Sequence, residues 1–283
     1  MIPRLSGLGE IAANYDGFIV DLWGVVHNGV QPYPAALEAL ARLAGRPVLL
    51  LSNAPRRAAS AQRMLQRMGV EDALYTGILT SGEAVWLALR ERADPWFAGL
   101  GTRVYHLGPL RDRNVMDETG LMIMPNPADA EFVLNTGPDD DSFDAADMEN
   151  FLPELAACRA AGLPMICANP DLVVMRDGVR LLCAGSLAEH YARLGGEVVS
   201  LGKPDPAIYR MALAQLGLPA SRVLAIGDSL HTDIAGAAGA GIDSLWVLGG
   251  IHAEALRGDD DAASAEAARL GLAPVGLVEA LSW

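Results

Sequence analysis

Four places in this 283-residue chain set polar residues suited to charged oxygen chemistry at the ends of apolar runs or beside a helix start. Phe18-Ile19-Val20 runs into Asp21, Val48 to Leu51 runs into Ser52 and Asn53, and Val223 to Ile226 runs into Gly227-Asp228. Lys203 stands in Gly202-Lys203-Pro204, just ahead of a helix start. Each is ordinary by itself, since Asp often follows a strand and Ser often caps a helix. In a parallel α/β sheet, however, ligands bind beyond the carboxyl ends of the strands. These residues then share one rim, with two carboxylates, a hydroxyl, an ammonium and several loop amides. Two carboxylates with open positions suit Mg²⁺, which takes oxygen donors and keeps waters. A cation, a lysine and backbone N–H groups aimed at one point suit a phosphoryl group.

The elements needed to position that rim are legible. Pro34 opens a helix with Leu37, Leu40, Ala41 and Ala44 on one face, and Gly45 stops it. Ala61, Met64, Leu65 and Met68 form a second helical stripe ended by Gly69. Asp205-Pro206 reads as an N-cap and first helical residue, with the helix running to about Leu216. Val48–Leu51, Val223–Ile226 and Leu245–Leu248 are apolar throughout, as strands of a parallel sheet covered on both faces are. The spacing predicts a doubly wound α/β core over 1–93 and 199–283. A second, smaller α/β unit is expected over 94–198, with strand-like runs at Arg103–Leu107, Glu131–Leu134 and Met165–Ala168 and an acidic turn at Pro138-Asp139-Asp140-Asp141. Gly258-Asp259-Asp260-Asp261 reads as a solvated loop before a last helix.

Composition excludes several classes. Apolar residues make up 51% of the chain, which rules out global disorder. The net charge of −14 argues against a nucleic-acid-binding role, which needs a basic footprint. No apolar run approaches the roughly 18–20 residues of a membrane span. Met1 to Tyr15 lacks the continuous apolar stretch of a signal peptide, so a cytoplasmic chain without a membrane partner is expected. Cys158, Cys167 and Cys183 form no C-x-x-C pair and read as reduced thiols. His106, His190 and His252 are too dispersed for a metal cluster.

The motifs resemble those of the haloacid dehalogenase-like (HAD) superfamily. Asp21-Leu22-Trp23-Gly24-Val25-Val26 is similar to its first motif and Leu50-Leu51-Ser52-Asn53 to its second. Gly202-Lys203-Pro204 is similar to the third, and Ile226-Gly227-Asp228-Ser229-Leu230-His231-Thr232-Asp233-Ile234 to the fourth. Only 31 residues separate Asp21 from Ser52, whereas 151 separate Ser52 from Lys203, which resembles the class II arrangement with its cap domain inserted between motifs two and three. Ala168-Asn169-Pro170-Asp171, Ala184-Gly185-Ser186 and Asp233-Ile234-Ala235-Gly236-Ala237 resemble subclass IIA, the branch with 4-nitrophenyl phosphatase-like and nucleotide phosphatase-like proteins.

The resemblance implies a Mg²⁺-dependent phosphatase acting on a small phosphorylated metabolite. Asp21 would be the nucleophile that forms an aspartyl-phosphate. Asp21, the backbone carbonyl of Trp23 and Asp228 would hold the metal, while Asp233 would hold its waters or orient Asp228 and Lys203. Ser52, the Asn53 amide and Lys203 would bind the phosphoryl oxygens. The subclass also suggests a homodimer. Trp23 departs from the pattern, because these phosphatases usually carry there an Asp that protonates the leaving oxygen, and an indole N–H cannot. Either another group such as His27 replaces it, or the substrate needs no acid, or the enzyme is slow, or the site binds a phosphorylated ligand without turnover. A metal-independent dehalogenase, with an aromatic residue at that position, is the remaining alternative. Gly227-Asp228, Asp233 and the cap position speak against it. His231 and the pair Arg56 and Arg57 are further candidates near the motifs, the arginines reading as solvated. Asn169, Asp171 and Arg176 are candidates within the cap.

Overall fold

The computed structural model describes residues 1–139, 143–176, 179–249 and 259–283. The first apolar run forms β1 (Gly17–Asp21), buried along its whole length. Pro34, with its preset φ and missing N–H, starts α1 (Pro34–Arg42). There follow β2 (Val48–Ser52), α2 (Ala58–Arg67), β3 (Gly77–Thr80) and α3 (Ser81–Glu91), whose first turn is capped by Thr80. The chain continues through α4 (Pro95–Ala98), β4 (Arg103–Leu107), β5 (Met122–Ile123), β6 (Phe132–Asn135), α5 (Leu152–Ala160) and β7 (Met165–Cys167). Then come β8 (Val173–Arg176), β9 (Val179–Leu182), α6 (Ala184–Arg193) and β10 (Val198–Ser200). The last stretch holds α7 (Pro206–Leu216), β11 (Val223–Gly227), α8 (Ala235–Gly239), β12 (Asp243–Val247), α9 (Asp260–Arg269) and β13 (Gly276–Val278). Asp205 caps α7 by accepting from the Ala207 N–H at 2.8 Å. The acidic run before the last helix is a helix start rather than a loop. Asp259 caps α9 through the Ala262 N–H at 2.8 Å, and Asp260 and Asp261 lie in its first turn, where negative charge favours the helix dipole. Gly258, Asp140, Asp141 and His252 fall outside the described residues.

Two compact units result. The first comprises Met1–Ser52, Ala61–Leu79 and Lys203–Trp283. Its six-stranded sheet has the order β13-β12-β11-β1-β2-β3, and the β12–β13, β11–β12, β1–β11 and β1–β2 pairs are parallel. Alternate residues of β12 point to opposite faces. Leu245 and Val247 join one core with Phe18, Val20, Leu40, Leu50 and Ile226, while Trp246 joins another with Leu230, Ile234, Ala263 and Ala267. Helices therefore cover both faces, the reason these strands are apolar throughout. The strand order reverses between β1 and β11, which makes their carboxyl ends the topological switch point.

The second unit comprises Asn53–Ser60 and Thr80–Gly202, a wider span than 94–198. The reason is packing: Val85, Trp86 and Leu89 of α3 are buried against Val104, Phe132, Leu134 and Ile166, so this helix joins the second sheet rather than the first. That sheet is fully parallel in the order β10-β7-β6-β4-β5, accompanied by the antiparallel β8–β9 hairpin. All three cysteines are buried in this unit, and burial pushes their thiols up to about 11 for Cys167 and about 12 for Cys158 and Cys183. They stay protonated and unreactive. Among the described residues, no helix is long and apolar enough to cross a membrane.

His106 near the end of β4 is buried, and its Nε2 shares a hydrogen bond with Thr136 Oγ1 at 2.9 Å. Burial pushes the imidazole down to about 4 from 6.5. The unfolded chain then binds the proton more tightly between those values, so this contribution to stability is present above pH 6.5 and is lost as pH falls toward 4. Asp112, pushed up to about 6 by burial with Arg56 opposing, works in the other direction over its own range. We expect His106→Gln to remove about 3 kcal/mol of the acid-side loss between pH 6.5 and 4, read as the difference between the two proteins in urea unfolding across that range.

Candidate active site

Asp21 closes β1, and Gly227-Asp228 lies at the end of β11, the strand beside it, with Val20 in register with Ile226. This is the switch point of the first sheet. Ser52 closes β2 on the other side of β1, one residue beyond Leu51, the register partner of Asp21. Past β11 the chain makes one wide helical turn over Leu230–Ile234, in which the Ile234 N–H reaches back to Ser229 O at 3.1 Å. Such turns are frequent at functional sites, and this one returns Asp233 toward Asp228. A carboxylate oxygen from each of Asp21, Asp228 and Asp233 lies within 4.8 Å of the others, and all three residues are buried. Lys203 reaches this group from the start of the returning segment. Its Nζ donates to Asp21 Oδ1 at 2.5 Å and to Asp233 Oδ1 at 2.7 Å, with only 3% of the residue exposed.

The surroundings hold each carboxylate in place. The Ser229 N–H donates to Asp233 Oδ2 at 3.1 Å, and the Tyr209 hydroxyl donates to the Asp233 carbonyl at 2.9 Å. The Trp246 indole donates to the Asp228 carbonyl at 2.9 Å. Gly236 makes room for Tyr209, since a Cβ there would lie 2.3 Å from the phenol ring. Gly227 makes room for Asp233, since a Cβ there would lie 2.2 Å from Asp233 Cβ and Cγ. Tyr209 and Trp246 carried no signal in the sequence, where they read as interior residues of a helix and a strand.

Electrostatics makes this cluster incomplete without further positive charge. Burial raises the Asp21 carboxyl well above the usual carboxylate range; Lys203 opposes that shift, while Asp233 and Asp228 add to it. With all three carboxyls ionised, one ammonium leaves an excess of two negative charges. The donors are all hard oxygens, the set that Mg²⁺, Ca²⁺ and Mn²⁺ prefer over softer metals. A divalent cation therefore fits the residues present in both charge and chemistry.

The segment after Asp21 is braced on itself. The Gly24 N–H donates to His27 O at 2.9 Å, the Val26 N–H to Leu22 O at 2.8 Å, and the Tyr33 N–H to Val26 O at 2.8 Å. Trp23 is half-buried, edge-on to His27 with ring centroids 5.6 Å apart. Gly29 has φ of +88°, and a Cβ there would lie 2.2 Å from the Trp23 ring. His27 is buried and its Nδ1 accepts from the Gly29 N–H at 2.9 Å, which places the ring proton on Nε2. Burial pushes this imidazole down to about 4. It is neutral at pH 7, so it is a poor substitute for an acid at position 23.

Several other candidates have different work. His231 is exposed. Arg56 and Arg57 are half-buried and paired rather than freely solvated. Arg56 pairs with Asp112 at 3.1 Å, and Arg57 grips Glu83 at 2.8 Å and stacks on Trp86, its guanidinium 3.4 Å from the ring centroid. The Asn53 side chain donates to Asp171 Oδ1 at 2.8 Å and accepts from the Ser81 hydroxyl at 3.1 Å. The Arg176 side chain falls outside the described structure.

Residues 18–122 match the model of a family described as haloacid dehalogenase-like hydrolase, and residues 200–270 match one described as HAD-hydrolase-like. A hydrolase of the haloacid dehalogenase-like family from Brucella suis 1330 has a solved structure that matches with a TM-score of 0.84. It shares 32% identity, over 98% of this chain and 99% of that one. D-glycerol 3-phosphate phosphatase of Mycobacterium tuberculosis is 29% identical over 250 residues, covering 86% of this chain and 65% of that protein. The chain thus spans a little under two thirds of that relative. The 5'-nucleotidase YutF of Bacillus subtilis is 26% identical over 253 residues, covering 87% of this chain and 92% of that one.

The close packing of Gly227 on Asp233 has a measurable consequence. Gly227→Ala should push Asp233 off Lys203, cost about 1–3 kcal/mol in chemical denaturation, and weaken the binding of a divalent cation in calorimetry by at least about tenfold.

Proposed function

The chain belongs to the haloacid dehalogenase-like hydrolases, and from that premise we propose that it is a phosphatase that hydrolyses a small phosphorylated metabolite at Asp21. The observation that carries the proposal is the grouping of Asp21, Asp228, Asp233 and Lys203 at the switch point of the first sheet. The phosphatase names of the relatives support the reaction class.

Asp21, the Trp23 carbonyl and Asp228 would hold Mg²⁺, with Asp233 fixing Lys203 and the metal's waters. When bound, the metal supplies the charge that offsets repulsion between a carboxylate nucleophile and phosphoryl oxygens. The Asp21 carboxylate attacks phosphorus in line, the bond to the leaving oxygen breaks, and an aspartyl-phosphate forms. Water then attacks that phosphorus and releases inorganic phosphate, returning Asp21 as a carboxylate. Lys203, Ser52 and the Asn53 N–H bind the phosphoryl oxygens and stabilise the charge that develops on them. The second unit, inserted between Ser52 and Lys203, acts as the cap that selects the substrate.

Trp23 shapes the chemistry by what it lacks. An indole N–H does not donate its proton at neutral pH, and the neighbouring His27 is neutral. The leaving oxygen must then depart with little help, which favours substrates whose leaving group is a weak base.

Asp21→Asn should abolish phosphate release, and EDTA should do the same to the wild type, with recovery on adding Mg²⁺. Retained turnover in Asp21→Asn would reject the nucleophile. With the wild type, kcat should fall about 10²-fold from 4-nitrophenyl phosphate to an alkyl phosphate, and Trp23→Asp should flatten that dependence, because a positioned general acid contributes on that scale.

A further inference from the structure

Ala168-Asn169-Pro170-Asp171 and Ala184-Gly185-Ser186 have no part in the cluster around Asp21, yet within the second unit they meet. Asn169 Oδ1 accepts from the Asp171 N–H at 3.0 Å, a turn that a short amide side chain forms readily. The Gly185 N–H donates to Asp171 O at 3.1 Å. A Cβ on Gly185 would lie 2.3 Å from Pro170 O and 2.5 Å from Asp171 O, so glycine is what lets α6 begin against this turn. The turn presents the Asp171 carboxylate to Asn53, whose Nδ2 donates to it at 2.8 Å, and the Ser81 hydroxyl donates to Asn53 Oδ1 at 3.1 Å. Gly202 packs into the same group. A Cβ there would lie 2.2 Å from Ser81 Oγ, 2.7 Å from Asn53 Oδ1 and 2.8 Å from Pro170 Cδ. Asn53 and Ser81 are almost fully buried, at 3% and 0% exposure.

The placement of this group along the chain is what gives it meaning. Asn53 is the residue after Ser52, and Gly202 is the residue before Lys203. These are the first and the last of the four peptide links at which the chain passes between the two units. A side-chain network that holds residues 53 and 202 together therefore sets the peptides that carry Ser52, the Asn53 N–H and Lys203. We infer that Asp171, acting through Asn53 and Ser81, is a positioning residue for phosphoryl binding, clasping residues 53 and 202 so that the peptides next to Ser52 and Lys203 stay in place. With Ser52, Asn53 and Lys203 taken as the phosphoryl-binding groups of the phosphatase reading above, Asp171 touches no reacting atom and works only through the backbone that it fixes.

The test compares wild type, Asp171→Ala, Asp171→Asn and Ser81→Ala in two measurements. One is hydrogen exchange of peptides covering 50–56 and 200–206. The other is steady-state hydrolysis of 4-nitrophenyl phosphate with Mg²⁺. Asp171→Ala should speed exchange in both segments while leaving that of β12 unchanged. It should raise KM about tenfold, with kcat altered less than about threefold, the scale of one lost hydrogen bond to a charged acceptor. Asp171→Asn keeps an Oδ1 acceptor and should restore both readouts. Ser81→Ala removes only the second bond and should give the same pattern at smaller amplitude, and it carries the test if Asp171→Ala does not fold. Unchanged exchange in the two segments overturns the clasp. So does a lower Tm with unchanged KM, which marks a structural contact only, or an Asp171→Asn protein as impaired as Asp171→Ala, which marks a role for the charge itself. If the wild type hydrolyses no phosphomonoester, the phosphatase reading fails on its own, and exchange still decides the clasp.

Discussion

Lys203 sits between Asp21 and Asp233, with its ammonium 2.5 and 2.7 Å from their oxygens, and the rest of the site depends on that pairing. Three buried carboxylates within 4.8 Å repel one another strongly where water does not screen them. Desolvation alone disfavours their charged forms. One lysine lowers the penalty and leaves a negative site that draws a divalent cation. The overall charge of −14 carries the same message at longer range. An acidic chain does not gather anions by steering, so affinity for a phosphoryl group has to be local and tied to a few cationic and N–H groups.

Such a cluster is stable only when its members cannot relax apart, and the fold invests buried residues in preventing that. Asp228 is held through its carbonyl by the indole of Trp246, a fully buried residue of the neighbouring strand. Asp233 is held through its carbonyl by Tyr209, through its side chain by the Ser229 N–H, and by the absence of a side chain on Gly227. The segment after Asp21 shows the same economy with a different result. Gly29, His27 and Trp23 pack against one another, and burial keeps the imidazole neutral. In the proposed reaction this segment contributes shape rather than proton transfer, and the rate would rest on electrostatics at the phosphoryl group.

Much of this was legible in the sequence. Apolar runs of three or four residues ending in Asp21, Ser52 and Gly227-Asp228 appear as β1, β2 and β11 with boundaries shifted by a residue or two. Pro34 and Asp205-Pro206 start helices, since a fixed φ and a capping carboxylate act locally. The acidic run at Asp259–Asp261 was ambiguous, because a capping Asp and a solvated Asp look alike until the next turn forms. Arg56 and Arg57 looked like surface arginines, and only folding supplies Asp112, Glu83 and Trp86 as their partners. The start of the second unit was misjudged for a related reason. The apolar stripe of α3 is equally compatible with either sheet, and the choice is made by the core that Val85, Trp86 and Leu89 share with Phe97, Val104 and Phe132.

The sequence by itself determined the chemistry available to this protein: which residues end strands, that the core sheet is parallel and covered on both faces, and which carboxylates and ammonium could share one rim. Periodicity and capping are local, and the rule that places ligands at strand ends carries them to a site. Only the tertiary structure decided how those residues meet. It set β11 beside β1, turned Asp233 back onto Gly227, brought Lys203 across 182 positions of chain to Asp21, and tied Asp171 to Asn53 across 118. Contacts between residues so far apart depend on strand order and on which side chains leave room for others, and neither is written in any window of sequence.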